Sequence, residues 1–202
     1  MSKKAGADSN KTRNNLIEAG KREFRAMGYQ KASLRHICSD ADVTTGALYF
    51  FFRDKDDLFG SILSEVTIPF MDIISQHYAF EENGEGKVDG EGSDQKATEM
   101  MIDFYYEKKD VFDILLSSLD HPIVKSFFDN FIYVSTEHYM KVLGKDSGIE
   151  EFPLHMFLHM QLDMMISLVS HGFEKEEMKK HAATGTTMLR GAFRSLLKVS
   201  AI

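Results

Sequence analysis

Apolar side chains in this chain recur at intervals of three and four, and no stretch alternates apolar and polar residues over a strand's length. That spacing winds one apolar stripe onto a helix, whereas a half-buried strand needs a period of two. The fold class is therefore all-α. From Lys11 to Met27 the stripe is Leu16, Ile17, Gly20, Phe24 and Met27, with charges opposite, and Gly28 suits the left-handed residue that ends a helix. Ser33 is placed to cap a short second helix with Leu34, Ile37 and Cys38 inward, and Thr44 a third of about two turns. Asp54, with Asp57 three residues on, forms an acidic variant of the capping box for a long fourth helix. Its inner face runs Leu58, Phe59, Ile62, Leu63, Val66 and Phe70, and Pro69 is expected to bend it.

Residues 81–95, EENGEGKVDGEGSDQ, combine four glycines with six acids and no aromatic, so a flexible loop is expected there. Helical periodicity resumes at roughly 95–107, 110–119, 122–143, 152–171 and 175–199. A domain of residues 1–53 and a second of 54–202 follow. With 202 residues and 43% apolar content, both have enough apolar surface for a core.

The formal charge of −7 is unevenly spread. Residues 1–53 hold ten Lys and Arg against five Asp and Glu, a net +5, which leaves −12 for the remainder. Segregation of this kind suits a basic end that meets a polyanion and an acidic body that keeps off non-specific sites. No stretch reads as a membrane span, and the opening MSKKAGADSNKTR lacks the apolar run of a signal peptide, so the expected location is cytoplasmic with no membrane partner. The single Cys38 cannot form an intrachain disulfide and reads as a small buried apolar residue.

Helices at 33–40 and 44–51 joined by a three-residue turn make a helix-turn-helix, whose second helix can enter a DNA major groove. Leu48 and Phe52 continue the inward face of Ile37, Cys38 and Val43, so Thr44, Thr45, Ala47, Tyr49 and Phe50 point away. On that face Tyr49 can offer its hydroxyl to a phosphate and Phe50 can touch a thymine methyl.

The segment TRNNLIEAGKREFRAMGYQKASLRHICSDADVTTGALYFFFRDKDDLF, residues 12–59, resembles the DNA-binding domain of the TetR family of repressors. The agreement includes Thr12, Arg13, Ala19, Phe24, Gly28, Tyr29, Ser33, Ile37, Ala41, Val43, Gly46, Leu48, Tyr49, Phe52, Lys55, Leu58 and Phe59 at fixed spacing. The resemblance implies phosphate contacts from Ser33, Tyr49 and Lys55, and base-edge contacts from Thr44, Thr45, Ala47 and Phe50. It further implies a C-terminal helical domain that binds an effector and dimerises, in a repressor that holds a palindromic double-stranded operator as a homodimer. Three departures stand out: Phe51 occupies a frequent histidine position, Asp42 the usual turn glycine, and Ala32 a frequent threonine.

In LHMFLHMQLDMMISLVSH, His155, His159 and Asp163 share one helix face with Met156, Met160 and Met164. A metal site, the lining of an effector pocket, and plain core or dimer contact all fit that spacing. Pocket lining is the reading adopted, with Phe104, Phe112, Phe131, Met156, His159, Met160 and Asp163 around an apolar or aromatic small molecule, and with neither metal nor cofactor. Leu168, Leu189, Phe193, Leu196 and Leu197 are assigned to the dimer interface. No activated nucleophile, phosphate loop or paired-carboxylate motif points to an enzyme. The alternative is an all-helical small-molecule carrier or enzyme without DNA binding.

Overall fold

A computed structural model describes residues 2–84, 91–144 and 147–199. Every regular element among them is a helix: α1 (Ser2–Lys31), α2 (Leu34–Asp40), α3 (Thr45–Phe51), α4 (Lys55–Glu82), α5 (Glu91–Glu107), α6 (Lys109–Leu116), α7 (Pro122–Leu143), α8 (Glu151–Ser170) and α9 (Lys175–Val199). Helical geometry in α1 breaks at Gly28, whose φ of 69° and ψ of 162° suit a residue without a Cβ, and one further turn follows.

The chain divides into two compact units, residues 1–68 with 108–124, and 69–107 with 125–202. The division falls at Pro69 and not near residue 54, because the first half of α4 completes the core of the N-terminal helices. In that unit Leu16, Ala19, Phe24, Ile37, Leu48 and Phe52 are buried together with Leu58, Phe59, Ile62 and Leu63 of α4. Gly20 permits the approach of α1 to α4: a Cβ there would lie 2.8 Å from the Ile62 side chain. By length and composition α4 alone among the described helices passes for a membrane span, contrary to the expectation that no stretch would. Leu58, Phe59, Ile62, Leu63, Val66 and Phe70 of this helix are buried, while Ile68 and Phe80 are exposed.

The second unit closes around Phe70, Phe131, Ile132, Leu154, Phe157, Leu158, Leu162 and Phe193. Ser75 to Glu82, the final turns of α4, carry a polar network into it. His138 of α7 stacks on Tyr78 with ring centroids 3.9 Å apart. Its Nε2 lies 2.7 Å from Glu81 Oε2 and its Nδ1 3.2 Å from Glu82 Oε1, and Lys141 Nζ donates to Glu82 at 2.5 Å. The Tyr78 hydroxyl donates to Ser135 Oγ at 2.7 Å. Lys141 first, then His138, holds the Glu82 carboxyl below its usual range. The loop expected over 81–95 is thus corrected at both ends: Glu81 is buried in α4 and residues 91–95 belong to α5, while 85–90 lie outside the described residues.

Removing one member of a buried pair strands the other. His138→Ala is expected to cost about 3–5 kcal/mol, and replacing His138 and Glu81 together by leucine to recover most of it. Denaturant titration of the three proteins checks this.

Candidate nucleic-acid interface

α2 and α3 have seven residues each, too few to hold a helix in water unaided, so their ends and inner faces decide whether they form. The turn between them is pinned by backbone donors: Ala41 N–H to the Ile37 carbonyl at 3.0 Å, Asp42 N–H to Ser39 at 3.3 Å and Val43 N–H to Cys38 at 3.0 Å. Asp42 has φ 54°, the only left-handed non-glycine among the described residues, at the position where the family resemblance places glycine. Thr44 caps α3 as expected, its Oγ1 accepting from the Ala47 N–H at 3.2 Å. Ser33 precedes α2 but its side chain makes no capping bond; its backbone N–H donates to Glu23 Oε1 at 2.9 Å instead. The expected Ser33 side-chain cap is therefore corrected: the residue ties α2 to Glu23, ten residues back on α1, through its own backbone N–H, and no side-chain cap forms.

Leu48 and Phe52 are fully buried, Phe52 at 1% exposure, and they set the rotation of α3. Thr44, Thr45 and Gly46 are exposed, Tyr49 is 55% and Phe50 79% exposed, and Ala47 is half-buried. Phe51 sits between the two faces and meets the Phe50 ring edge-on at 5.0 Å. The outward set is thus the one that the spacing of Leu48 and Phe52 dictates. It is a short polar ledge ending in two aromatic rings.

Lys55 is placed differently from the others. Its Nζ donates to the Ala32 carbonyl at 2.8 Å and to Gln30 at 3.4 Å, and it lies 4.5 Å from the centre of the Tyr29 ring. Burial lowers its pKa. The Tyr29 hydroxyl donates to Asp56, and burial followed by that carboxylate pushes the phenol up to about 12. His121 completes the cluster, its ring 4.1 Å from that of Tyr29. Much of the basic charge in this unit is also engaged: Lys21 pairs with Glu65 at 2.7 Å and Arg22 with Asp40 at 2.8 Å. Lys11, Lys31, Arg35 and Arg53 are exposed.

The pocket residues expected in the C-terminal region are not brought together. Phe112 lies in the first unit, Phe131 is buried in the core of the second, and Phe104 packs against that core. Met156, His159, Met160 and Asp163 are on the exposed face of α8, with the His155 and His159 rings 4.4 Å apart. No group of three or more His, Cys, Asp and Glu side chains that could hold a metal ion is present among the described residues. The expected dimer residues turn inward: Phe193 packs 5.3 Å from Phe157, and Leu189, Leu196 and Leu197 flank the same cluster, while Leu168 is half-buried. Methionine lies on both sides of α8, so spacing alone did not separate its inner from its outer face. The Glu81, Glu82 and His138 network was missed because its partners are more than fifty residues apart.

Residues 16–62 match the family described as bacterial regulatory proteins, tetR family. Residues 16–62 thus carry the N-terminal domain of the TetR family. Over 70 residues it is 39% identical to the HTH-type transcriptional regulator AcrR of Shigella flexneri, covering 34% of this chain and 33% of AcrR. With the HTH-type transcriptional repressor AcnR of Corynebacterium glutamicum the identity is 24% over 180 residues, 89% of this chain and 93% of AcnR. A crystal structure of a transcriptional regulator of the TerR/AcrR family from Aquifex aeolicus shares the fold, with a TM-score of 0.62 and 22% identity over 88% of this chain and 99% of the other. The segment shared with AcrR is thus about a third of that relative's length.

Replacing Phe52 by alanine should cost about 3–5 kcal/mol, the range for a buried phenylalanine. Phe50→Ala should stay within about 0.5 kcal/mol of the parent, as an exposed site does. Thermal melts of the two variants check the rotation of α3.

Proposed function

We propose that the chain is a transcriptional repressor that binds a palindromic operator as a homodimer in the cytoplasm and is released by a small-molecule effector. The observation that carries this reading is the outward face of α3, where Thr44, Thr45, Tyr49 and Phe50 stand clear of a base fixed by Leu48 and Phe52. A helix presented in this way enters a major groove, with hydroxyls for phosphates and a ring for a thymine methyl. Half-buried Ala47 contributes close approach, and Ser33, free of a capping role, contributes a hydroxyl at the start of α2.

A palindromic operator calls for a two-fold dimer. The surface that supports one is the exposed face of α8, where Phe152 is 70% exposed and Met156, Met160, His155 and His159 are exposed with it. Phe157 meets Phe193, and Met164 lies against Gly185, so α8 and α9 run antiparallel with Met188 of α9 close to the level of Met160. Met188 is exposed as well. A second copy covering this face removes a row of large apolar side chains from water.

The effector is an apolar or aromatic molecule received by the second unit, whose interior is built from phenylalanine, leucine and isoleucine. It weakens DNA binding only if it favours one arrangement of the two reading heads over another. α4 is the element we assign to transmit this preference, since its first turn holds Lys55 and its last turns hold Tyr78 and Glu81. No catalytic step and no membrane partner belong to this reading. A carrier without DNA binding is the alternative, and duplex binding separates the two.

Fluorescence anisotropy with a palindromic duplex should show binding that weakens steeply with salt, and Tyr49→Phe should weaken it through loss of one hydroxyl. Combining Met160→Glu with Met188→Glu should give a folded monomer by light scattering, since unpaired charges buried in an interface cost several kcal/mol. A dimer that survives this double substitution places the interface elsewhere.

A further inference from the structure

The outward face of α8 repeats one dipeptide a helical turn apart, His155-Met156 and His159-Met160. All four side chains are exposed, Met156 at 52% and Met160 at 54%, whereas Leu154, Phe157 and Leu158 beside them are buried. We propose that His155, Met156 and His159, with Met160 as a fourth donor alongside, form a site for a soft monovalent metal ion of the copper(I) class. The proposal goes beyond the regulator reading, since every donor belongs to one helix of one chain.

Positions three and four apart on a helix are neighbours, with Cβ atoms about 5–6 Å apart. Two histidines at this spacing can share one ion, as they do in the helical zinc motif of metalloproteases. The rings of His155 and His159 already lie edge to face, with centroids 4.4 Å apart. No hydrogen bond or ion pair with a described residue occupies either imidazole. Met156 follows His155 directly and stands three residues before His159, so its side chain leaves the helix on the same surface as both. Three rotatable bonds let its sulfur reach an ion held between the rings. Met160 repeats that relation to His159 one turn on.

The donor set decides the class of ion. Asp163, the third partner that helical spacing offers, does not complete a site, because no three His, Cys, Asp and Glu side chains among the described residues could hold an ion together. Completion falls to the thioethers. Thioether sulfur is a soft, neutral donor that favours copper(I), and imidazole serves copper as well, whereas carboxylate and water suit harder ions. The same face is assigned above to a second copy. A two-fold contact brings the same patch from both copies, so covering this face adds donors to the ion and does not strip them away.

Copper(I), supplied without oxygen, is titrated into the purified protein against bicinchoninate, whose colour reports the copper that it keeps. The parent should withdraw copper from the chelator. His155→Gln, His159→Gln and Met156→Leu should each weaken binding by about tenfold or more, since even groups that only orient a metal ligand are worth that much. Helix content by circular dichroism should stay at the parental level, as all three side chains are exposed. Cys38→Ala, which removes the one thiol, should bind as the parent does. With methyl-labelled methionine, the ion should shift the Met156 and Met160 resonances and leave those of exposed Met100 and Met140 in place. A parent that takes no copper from the chelator, binding lost with Cys38→Ala, or full affinity in Met156→Leu overturns the site. Light scattering and duplex binding of the metal-free protein report the dimer and regulator readings separately, so their failure is distinct from failure of the site.

Discussion

The reading head depends on the burial of Leu48 and Phe52 where α3 packs against α1 and α2. A seven-residue helix has no stability of its own to spare, so α3 exists, and faces the way it does, because these two side chains are removed from water four residues apart. Everything assigned to DNA follows from that rotation: once Leu48 and Phe52 are inside, Thr44, Thr45, Tyr49 and Phe50 are outside. The crowd of rings from Tyr49 to Phe52 divides accordingly. Two are exposed, one bridges, and one is core.

What surrounds α3 determines how firmly it is aimed. The backbone bonds of the α2–α3 turn and the Thr44 cap fix its start, and the left-handed Asp42 is tolerated there at some conformational cost. The N-terminal region is less generous to DNA than the net +5 of residues 1–53 suggests. Lys21, Arg22 and Lys55 are engaged within the protein, and Arg25 lies 3.5 Å from Asp113. Among the described side chains, Lys11, Lys31, Arg35 and Arg53 remain exposed and available to contribute to the salt dependence.

Much of this architecture was legible in the sequence because it is local. Helices α1 to α9 follow from apolar spacing, the break in α1 from Gly28, the start of α3 from Thr44 and the start of α4 from Asp54. What was not legible depended on distant partners. Glu81 looks like the first residue of an acidic loop until His138, 57 residues later, comes within 2.7 Å of it. Ser33 looks like a side-chain cap, but what holds it is a bond from its backbone N–H to the distant Glu23. On α8 the apolar residues surround the helix, so Phe157 and Leu158 face the core while Phe152, Met156 and Met160 face outward, and spacing alone cannot say which side meets a second copy. Lys55 matched the family pattern by position, but its environment is set by carbonyls that no local pattern announces.

The central claim is that two copies of this chain read a symmetric DNA site through the outward face of α3. Enriching random duplexes with the purified protein, and sequencing those retained, tests it most directly. The account predicts an inverted repeat whose half-sites lie about one helical turn apart, or a multiple of it, centre to centre. A bound pool with no sequence preference, or one enriched for a motif without two-fold symmetry, would contradict it.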